Sequence, residues 1–213
     1  MKFAVNKTHK KHWVIFSQLQ INTIFLKYPF QQEIVCSSCH RKTILLNEEF
    51  MASVVVQSFV KRDRRNNLKY STKDAIQSHL HGGSEVVHRA CPNPNCNSND
   101  ASKTIKLITA ANFLIIHLKI FENIRKANRI LLQKINASSE PFSTIKIKTL
   151  SGIAEYKAVS LIEHLDNSIT SGHYVCHVHQ LGRWTTCNDD EISVSNSRLI
   201  PTQKAYLILL KKI

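Results

Sequence analysis

Short stretches of apolar and β-branched residues, separated by turn residues, recur along most of this chain, and this pattern is typical of β-strands. One stretch centres on Val54-Val55-Val56, three β-branched residues that favour the extended backbone. The pattern predicts strands over residues 34–35, 43–46, 52–59, 113–118, 156–164, 174–179, 183–188 and 204–211.

One segment has the spacing of a helix instead. Ser71 precedes an acidic residue by three positions, as a helix N-cap does, and Ile76 and Leu80 follow at helical spacing. Gly82-Gly83 is predicted to end this helix. Loops or connections are predicted over residues 61–69, 91–100 and 123–140. One helix among many strands predicts an α+β fold with a mainly antiparallel sheet, and residues 1–27 stay unassigned.

Composition and charge narrow the class of protein. Hydrophobic residues make up 43% of the 213 residues, enough for a buried core, and five Gly and five Pro exclude collagen-like and low-complexity chains. The net charge of +14 falls within residues 1–151, yet only the run 61–65 is densely basic. A solvated loop explains that run, and binding of nucleic acid stays an alternative.

No apolar run reaches the roughly 18–20 residues of a membrane span, and no signal peptide is evident. We therefore expect no membrane partner and a location in the cytoplasm or nucleus.

Six cysteines fall into three pairs, and two of these pairs have the spacing of metal ligands. Cys36 and Cys39 form a Cys-x-x-Cys turn, and Cys91 and Cys96 are separated by four residues. Two such turns supply the four thiolates that tetrahedral zinc requires, so we predict a structural zinc site. The alternative is that the four are small hydrophobic residues or a partly lost site. His40 and His88 are further candidate ligands, should one cysteine not take part.

The C-terminal third contains a specific series of motifs. Gly172-His173-Tyr174 is followed by a strand, by Trp184 with Asn188 four residues later, and finally by Ala205-Tyr206-Leu207. This series resembles the histidine box of the ubiquitin-specific proteases, the papain-like cysteine deubiquitinases. Upstream, the two cysteine pairs are similar to the zinc-bearing fingers of that family. Residues 114–121 resemble its Leu-x-Arg-Phe strand, with Ile120 where arginine is usual.

The resemblance covers residues 28–213 and implies a fragment of the papain-like fold. In this interpretation residues 30–105 form the zinc-binding fingers, residues 106–213 form the palm with the histidine box, and the partner is ubiquitin or a ubiquitinated protein. His173 matches the general base, Asn188 matches the residue that orients its imidazole, and Asp189 matches an adjacent, often acidic position. The family reaction is thiol-dependent hydrolysis after the C-terminal glycine of ubiquitin.

The nucleophile of the family has no match in this sequence. It belongs to a Gly-x-x-Asn-x-Gly-Asn-Thr-Cys box, which residues 1–35 do not contain, and no cysteine precedes Cys36. Cys176 and Cys187 are predicted to face away from His173 and Asn188, because side chains alternate along a strand. We therefore expect a deubiquitinase by family that is inactive as this chain alone. An inactive homologue that binds ubiquitin or scaffolds a complex is the alternative.

Two further histidines share the strand of the histidine box. His177 and His179 alternate with His173 on one strand face, and three histidines in such a row are able to bind a metal. We interpret His177 and His179 as surface residues.

Overall fold

The computed structural model describes residues 27–126, 129–140, 142–166, 172–195 and 204–213. Within these ranges the chain forms one α-helix, α1 (Thr72–Leu80), and a short 3-10 helix, Gln57–Phe59. The strands are β1 (Tyr28–Cys36), β2 (Lys42–Glu49), β3 (Met51–Val55), β4 (Val60–Arg62), β5 (Leu68–Tyr70), β6 (His81–His88), β7 (Asp100–Leu107), β8 (Phe113–Lys119), β9 (Phe121–Lys126), β10 (Arg129–Lys134), β11 (Ser138–Ser139), β12 (Thr144–Thr149), β13 (Gly152–His164), β14 (Tyr174–Gln180), β15 (Arg183–Asn188), β16 (Glu191–Ser195) and β17 (Ala205–Lys212). In this part of the chain, no helix is long and apolar enough to cross a membrane.

A twelve-stranded sheet organises the described residues. Its main path runs β16-β15-β14-β13-β12-β7-β1-β2, while β6 pairs with β7 and β3 pairs with β8. Most neighbours are antiparallel; β3 with β8 and a single bridge between β12 and β7 are the parallel pairs of this sheet. The mainly antiparallel α+β fold that the sequence predicts is therefore confirmed.

The long strand β13 joins the two halves of this sheet. Its first half pairs with β12 and its last residues pair with β14, while β17 runs along its other edge and continues to β8. The side chains of Tyr156, Ala158 and Leu161 are buried on the core face of β13. The β14–β15–β16 meander extends from this strand, so the histidine box rests on the edge of a packed core.

Helix α1 covers part of the sheet, and its start follows the sequence pattern. The hydroxyl of Ser71 accepts a hydrogen bond from the backbone N–H of Asp74 at 3.2 Å, which confirms the N-cap. The helix buries Ala75, Ile76 and Leu80. It ends at Leu80, before the glycine pair, and β6 begins at the next residue. The two glycines are part of this strand.

Two segments that were predicted to be loops contain hairpins. Residues 61–69 include β4 and β5, whose connecting turn is held by Asp63: its carboxylate accepts hydrogen bonds from the N–H groups of Arg65 and Asn67. Residues 123–140 include most of the β9–β10 hairpin. Basic side chains hid the strand pattern in both cases, because lysine and arginine on a solvent face interrupt the apolar periodicity.

Other boundaries also differ from the predictions. The strand predicted over residues 52–59 ends at Val55, and a 3-10 helix follows. Strands β6, β7, β12 and β16 were not predicted, although β12 alternates isoleucine with lysine. The unassigned N-terminal segment lies outside the described residues, apart from Lys27.

Candidate functional site

The open end of the β14–β15 hairpin carries His173 and Asn188. His173 lies directly before β14, and Asn188 is the last residue of β15. Cys176 is opposite Cys187 in the strand register, so Asn188 points to the other face of the hairpin, the face of His173. On that face the imidazole Nε2 of His173 and the side-chain Oδ1 of Asn188 form a hydrogen bond. The structure thus brings together the two residues that the sequence paired.

This hydrogen bond selects one form of the imidazole. A carbonyl oxygen only accepts, so Nε2 of His173 carries the proton and donates it to Asn188. In the neutral ring the lone pair is then on Nδ1. A ring fixed in this way is able to take a proton from a thiol or a water at Nδ1, as a general base does.

Asp189 occupies the turn after β15. Its φ of 50° is in the left-handed region, which aspartate tolerates better than most residues. Asn188 and Glu191 pair across this turn, and the side chain of Asp189 is exposed. The left-handed turn is sufficient to explain an aspartate at this position. The catalytic role of Asp189 stays a prediction.

His177 is not a surface residue, contrary to the sequence-based interpretation. It is 5% exposed, and its ring lies between two polar partners, the hydroxyl of Thr186 at 2.9 Å and the carboxylate of Glu163 at 3.3 Å. His179 is partly buried and packs edge-to-face against Trp184, with ring centroids 5.1 Å apart. The register was the missed signal, because it places these histidines on the hairpin face of the buried tryptophan.

Cys176 and Cys187 lie on the hairpin face opposite to that of His173 and Asn188. The Cys176 thiol is 3.8 Å from the hydroxyl of Ser160 on β13. Burial, with a smaller effect of Cys187, raises the pKa of the Cys176 thiol. A raised pKa disfavours the thiolate, which is the nucleophilic form. The geometry agrees with the prediction that these thiols are not presented to His173.

The four remaining cysteines meet at the tip of the β1, β6 and β7 strands. Cys36 ends β1, Cys39 lies in the turn before β2, and Cys91 and Cys96 lie in the loop between β6 and β7. The pairing of β1 with β7 brings the two turns together, and the N–H of Ser37 donates to the carbonyl of Asp100. The four sulfur atoms all lie within 4.8 Å of one another.

The spacing of the sulfurs suits a tetrahedral ion. Cys36 and Cys96 have their sulfurs 3.7 Å apart, and Cys39 and Cys91 have theirs 3.5 Å apart. Zinc–sulfur bonds of about 2.3 Å in a tetrahedron place the sulfurs about 3.8 Å apart. The donor set and its geometry therefore fit a thiolate metal site, and the prediction that the two pairs come together is confirmed.

Backbone N–H groups lower the pKa of two of these thiols. Those of Cys39 and Ser38 lower the pKa of Cys36 to about 6, and that of Arg41 lowers the pKa of Cys39. At Cys91, the N–H of Asn93 lowers the pKa, but burial and the neighbouring thiols raise it to about 12. Four thiolates this close repel one another, so the four thiols do not readily ionise together without a cation. A bound metal ion removes this repulsion.

Neither histidine considered as a substitute ligand joins the cluster. The candidate group within the described residues consists of the four cysteines. His88 pairs with Asp100 through Nδ1 at 2.8 Å, and His40 is exposed in the turn after Cys39.

Comparisons with known proteins agree on one family. A family model described as ubiquitin carboxyl-terminal hydrolase matches residues 4–210. Ubiquitin carboxyl-terminal hydrolase A of Dictyostelium discoideum is 31% identical over 104 residues, which is 48% of this chain and 12% of that protein. Ubiquitin carboxyl-terminal hydrolase 25 of Arabidopsis thaliana is 26% identical over 194 residues, which is 85% of this chain and 26% of that protein.

Solved structures with the same fold come from the SAGA DUB module. One chain of the module of Ubp8, Sgf11, Sus1 and Sgf73 bound to monoubiquitin matches with a TM-score of 0.66 and 17% identity. The match covers 98% of this chain and 48% of the matched chain. The same module bound to ubiquitin aldehyde matches with a TM-score of 0.64 and 14% identity, over 98% of this chain and 49% of that chain. This chain thus spans about half of those chains and about a quarter or less of the two curated relatives.

Proposed function

Because the chain belongs to the ubiquitin carboxyl-terminal hydrolase family, we propose that it is the part of a ubiquitin-specific protease domain that holds ubiquitin and supplies the general base. The reaction is hydrolysis of the peptide or isopeptide bond after the C-terminal glycine of ubiquitin. The observation that carries this proposal is the hydrogen bond from Nε2 of His173 to Oδ1 of Asn188.

In this proposal His173 activates a cysteine through Nδ1. A free thiol has a pKa of about 8.5 and is mostly protonated at neutral pH, so it needs an adjacent base to become a thiolate. Asn188 holds the ring in the tautomer whose Nδ1 accepts that proton. The thiolate attacks the carbonyl carbon and the leaving amine takes the proton from the imidazolium. Water then hydrolyses the thioester, and the cysteine is released.

The four-cysteine cluster is proposed to hold structural zinc. Cys36, Cys39, Cys91 and Cys96 would bind the ion, and the ion would take the place of the thiol protons and fix the ends of β1 and β7. Thiolate ligation needs reduced cysteines, which supports a location in the cytoplasm or nucleus. The domain division of the sequence analysis is part of the same proposal, with fingers over residues 30–105 and palm over residues 106–213.

A second candidate function is binding of ubiquitin without cleavage. It is supported by the position of Cys176 and Cys187, which share the hairpin face away from His173. These are the two cysteines outside the cluster, so this chain presents no thiol to the proposed base.

A chimera separates the two functions. The family box with its cysteine and following helix, taken from an active ubiquitin-specific protease, is joined in front of this chain, and hydrolysis of a fluorogenic C-terminal amide of ubiquitin is measured. Turnover that disappears on His173→Ala supports the protease function. A folded chimera that binds ubiquitin and does not turn it over supports the second candidate, and a folded chimera that does neither contradicts both.

A further inference from the structure

The end of β13 carries a buried histidine to which the proposed mechanism gives no task. His164 is 2% exposed and lies among three aromatic rings. Its ring centroid is 4.9 Å from that of Tyr174, 5.6 Å from that of Phe121 and 6.1 Å from that of Tyr206. An imidazole packed on several sides in this way has few alternative rotamers.

The ring of His164 lies against the backbone directly before His173. A Cβ atom added to Gly172 would be 2.0 Å from Nε2 and 2.7 Å from Cδ2 of His164, far inside van der Waals contact. Gly172 has no left-handed φ, so the glycine is required for space rather than for conformation. The ring thus sets how closely the chain before the base approaches β13.

A lysine from the β9–β10 hairpin binds the end of β13, next to Nδ1 of the His164 ring. The ammonium of Lys134 donates hydrogen bonds to the carbonyl of His164 at 2.5 Å and to the carbonyl of Asp166 at 2.8 Å. Its third contact is with Nδ1 of His164 at 3.4 Å. A protonated ammonium has three donors and no acceptor, so all three point into this segment and Nδ1 accepts.

The contacts of Lys134 and His164 described above form a clamp. This clamp is linked directly to the backbone of His173. The N–H of Leu165 donates to the carbonyl of His173 at 2.9 Å. Leu165 lies between the two residues whose carbonyls Lys134 binds. The position of the His173 backbone therefore depends on the segment that the lysine orders.

We propose that Lys134 and His164 are positioning residues for His173: the lysine fixes the backbone at the end of β13, and the histidine ring fixes Gly172 against it. The inference rests on the proposed function, since it assumes that His173 acts as the base. With the clamp intact, Nε2 of His173 stays within reach of Asn188. Without it, the imidazole exchanges among orientations and Nδ1 is no longer held for the thiol.

Proton NMR of the full chain tests this proposal without any enzymatic activity. The observed signal is the downfield Nε2–H proton of His173, which its hydrogen bond to Asn188 protects from exchange with water. It is assigned by its loss in His173→Gln. We expect about three- to tenfold faster exchange of this proton, or loss of its signal, in Lys134→Met. Without the lysine, the imidazole loses the protection that its one hydrogen bond to Asn188 provides. Lys134→Arg retains donors for both carbonyls and is expected to keep most of the protection.

The matched control is Lys146→Met, since Lys146 is exposed on β12. Should Lys134→Met fail to fold, Gly172→Ala decides by the same signal, because it displaces the His164 ring and leaves the lysine with its two backbone carbonyls. An unchanged signal in the folded variant overturns the positioning role. If the wild-type chain itself shows no protected proton, the pairing of His173 with Asn188 fails, and with it the proposed function. The two failures are therefore distinguishable.

Discussion

Asn188 accepts a hydrogen bond from the imidazole of His173 although 15 positions separate the two residues in the chain. A single hairpin accounts for the contact. Its tight turn at Leu181 and Gly182 sets the register, in which Cys176 is opposite Cys187. That register puts Asn188 beside the residue directly before β14. The pair is thus a consequence of strand pairing rather than of a flexible loop closing.

The first prediction concerns the base and its orienting residue in the chimera described above. His173→Ala is expected to abolish nearly all turnover, because His173 is the group that takes the thiol proton in the proposed mechanism. Asn188→Ala is expected to lower kcat about three- to tenfold, since a neutral amide contributes one hydrogen bond worth roughly 0.5–1.5 kcal/mol. Steady-state kinetics on a ubiquitin amide measure both effects.

Asp189 provides the internal comparison for this prediction. It adjoins Asn188 and is expected to substitute for it in part, so the double variant Asn188→Ala/Asp189→Ala should lose more than the sum of the two single losses. A double variant with unchanged kinetics would mean that the alignment four residues past Trp184 is wrong. An Asn188→Ala variant as impaired as His173→Ala would contradict the supporting role of the amide.

The second prediction concerns metal content. Purified chain is expected to contain one zinc ion, and a strong chelator is expected to unfold the tip of β1 and β7, because metal binding is part of the folding free energy there. Cys36→Ser combined with Cys91→Ser should remove the ion. Cys176→Ser is the control, since this thiol lies outside the cluster. Elemental analysis without zinc, or zinc retained in the double variant, would refute the site.

The third prediction concerns the reactivity of the other two thiols. This chain is expected not to react with a ubiquitin probe that carries a C-terminal electrophile, because burial raises the pKa of Cys176 and because Cys187 lies on the same hairpin face. Intact mass spectrometry measures the adduct. Stoichiometric labelling of either cysteine by the probe, with no labelling by ubiquitin lacking the electrophile, would show that a nucleophile is present after all.

The fourth prediction concerns the buried histidine between Glu163 and Thr186. His177→Ala is expected to lower the free energy of unfolding by about 1–3 kcal/mol, because both polar neighbours lose this hydrogen-bond partner inside the protein. Denaturant unfolding measures it. His88→Ala is the matched control, since its ion pair with Asp100 is exposed and should contribute little. Equal effects of the two substitutions would contradict the importance of burial.

Residue spacing predicted the local features of this protein well. Each cysteine pair lies in its own turn or loop, and the distance from Trp184 to Asn188 is a property of one strand. That the two pairs meet was predicted from the four ligands that zinc requires. Features that depend on contacts between distant strands were not predictable in this way. The burial of His177 depends on Glu163 from another strand, and the requirement for Gly172 depends on a ring eight positions earlier that aromatic neighbours hold in place.

Binding of ubiquitin by this chain is the most direct test of the proposal. Isotope-labelled ubiquitin is titrated with the chain while its amide spectrum is recorded, with and without a chelator. We predict saturable shifts on one face and at the C-terminal tail of ubiquitin, weakened when the metal is removed. An unchanged ubiquitin spectrum, together with oligonucleotide binding that falls steeply with salt, would contradict the proposal and favour a basic zinc-knuckle protein that binds nucleic acid.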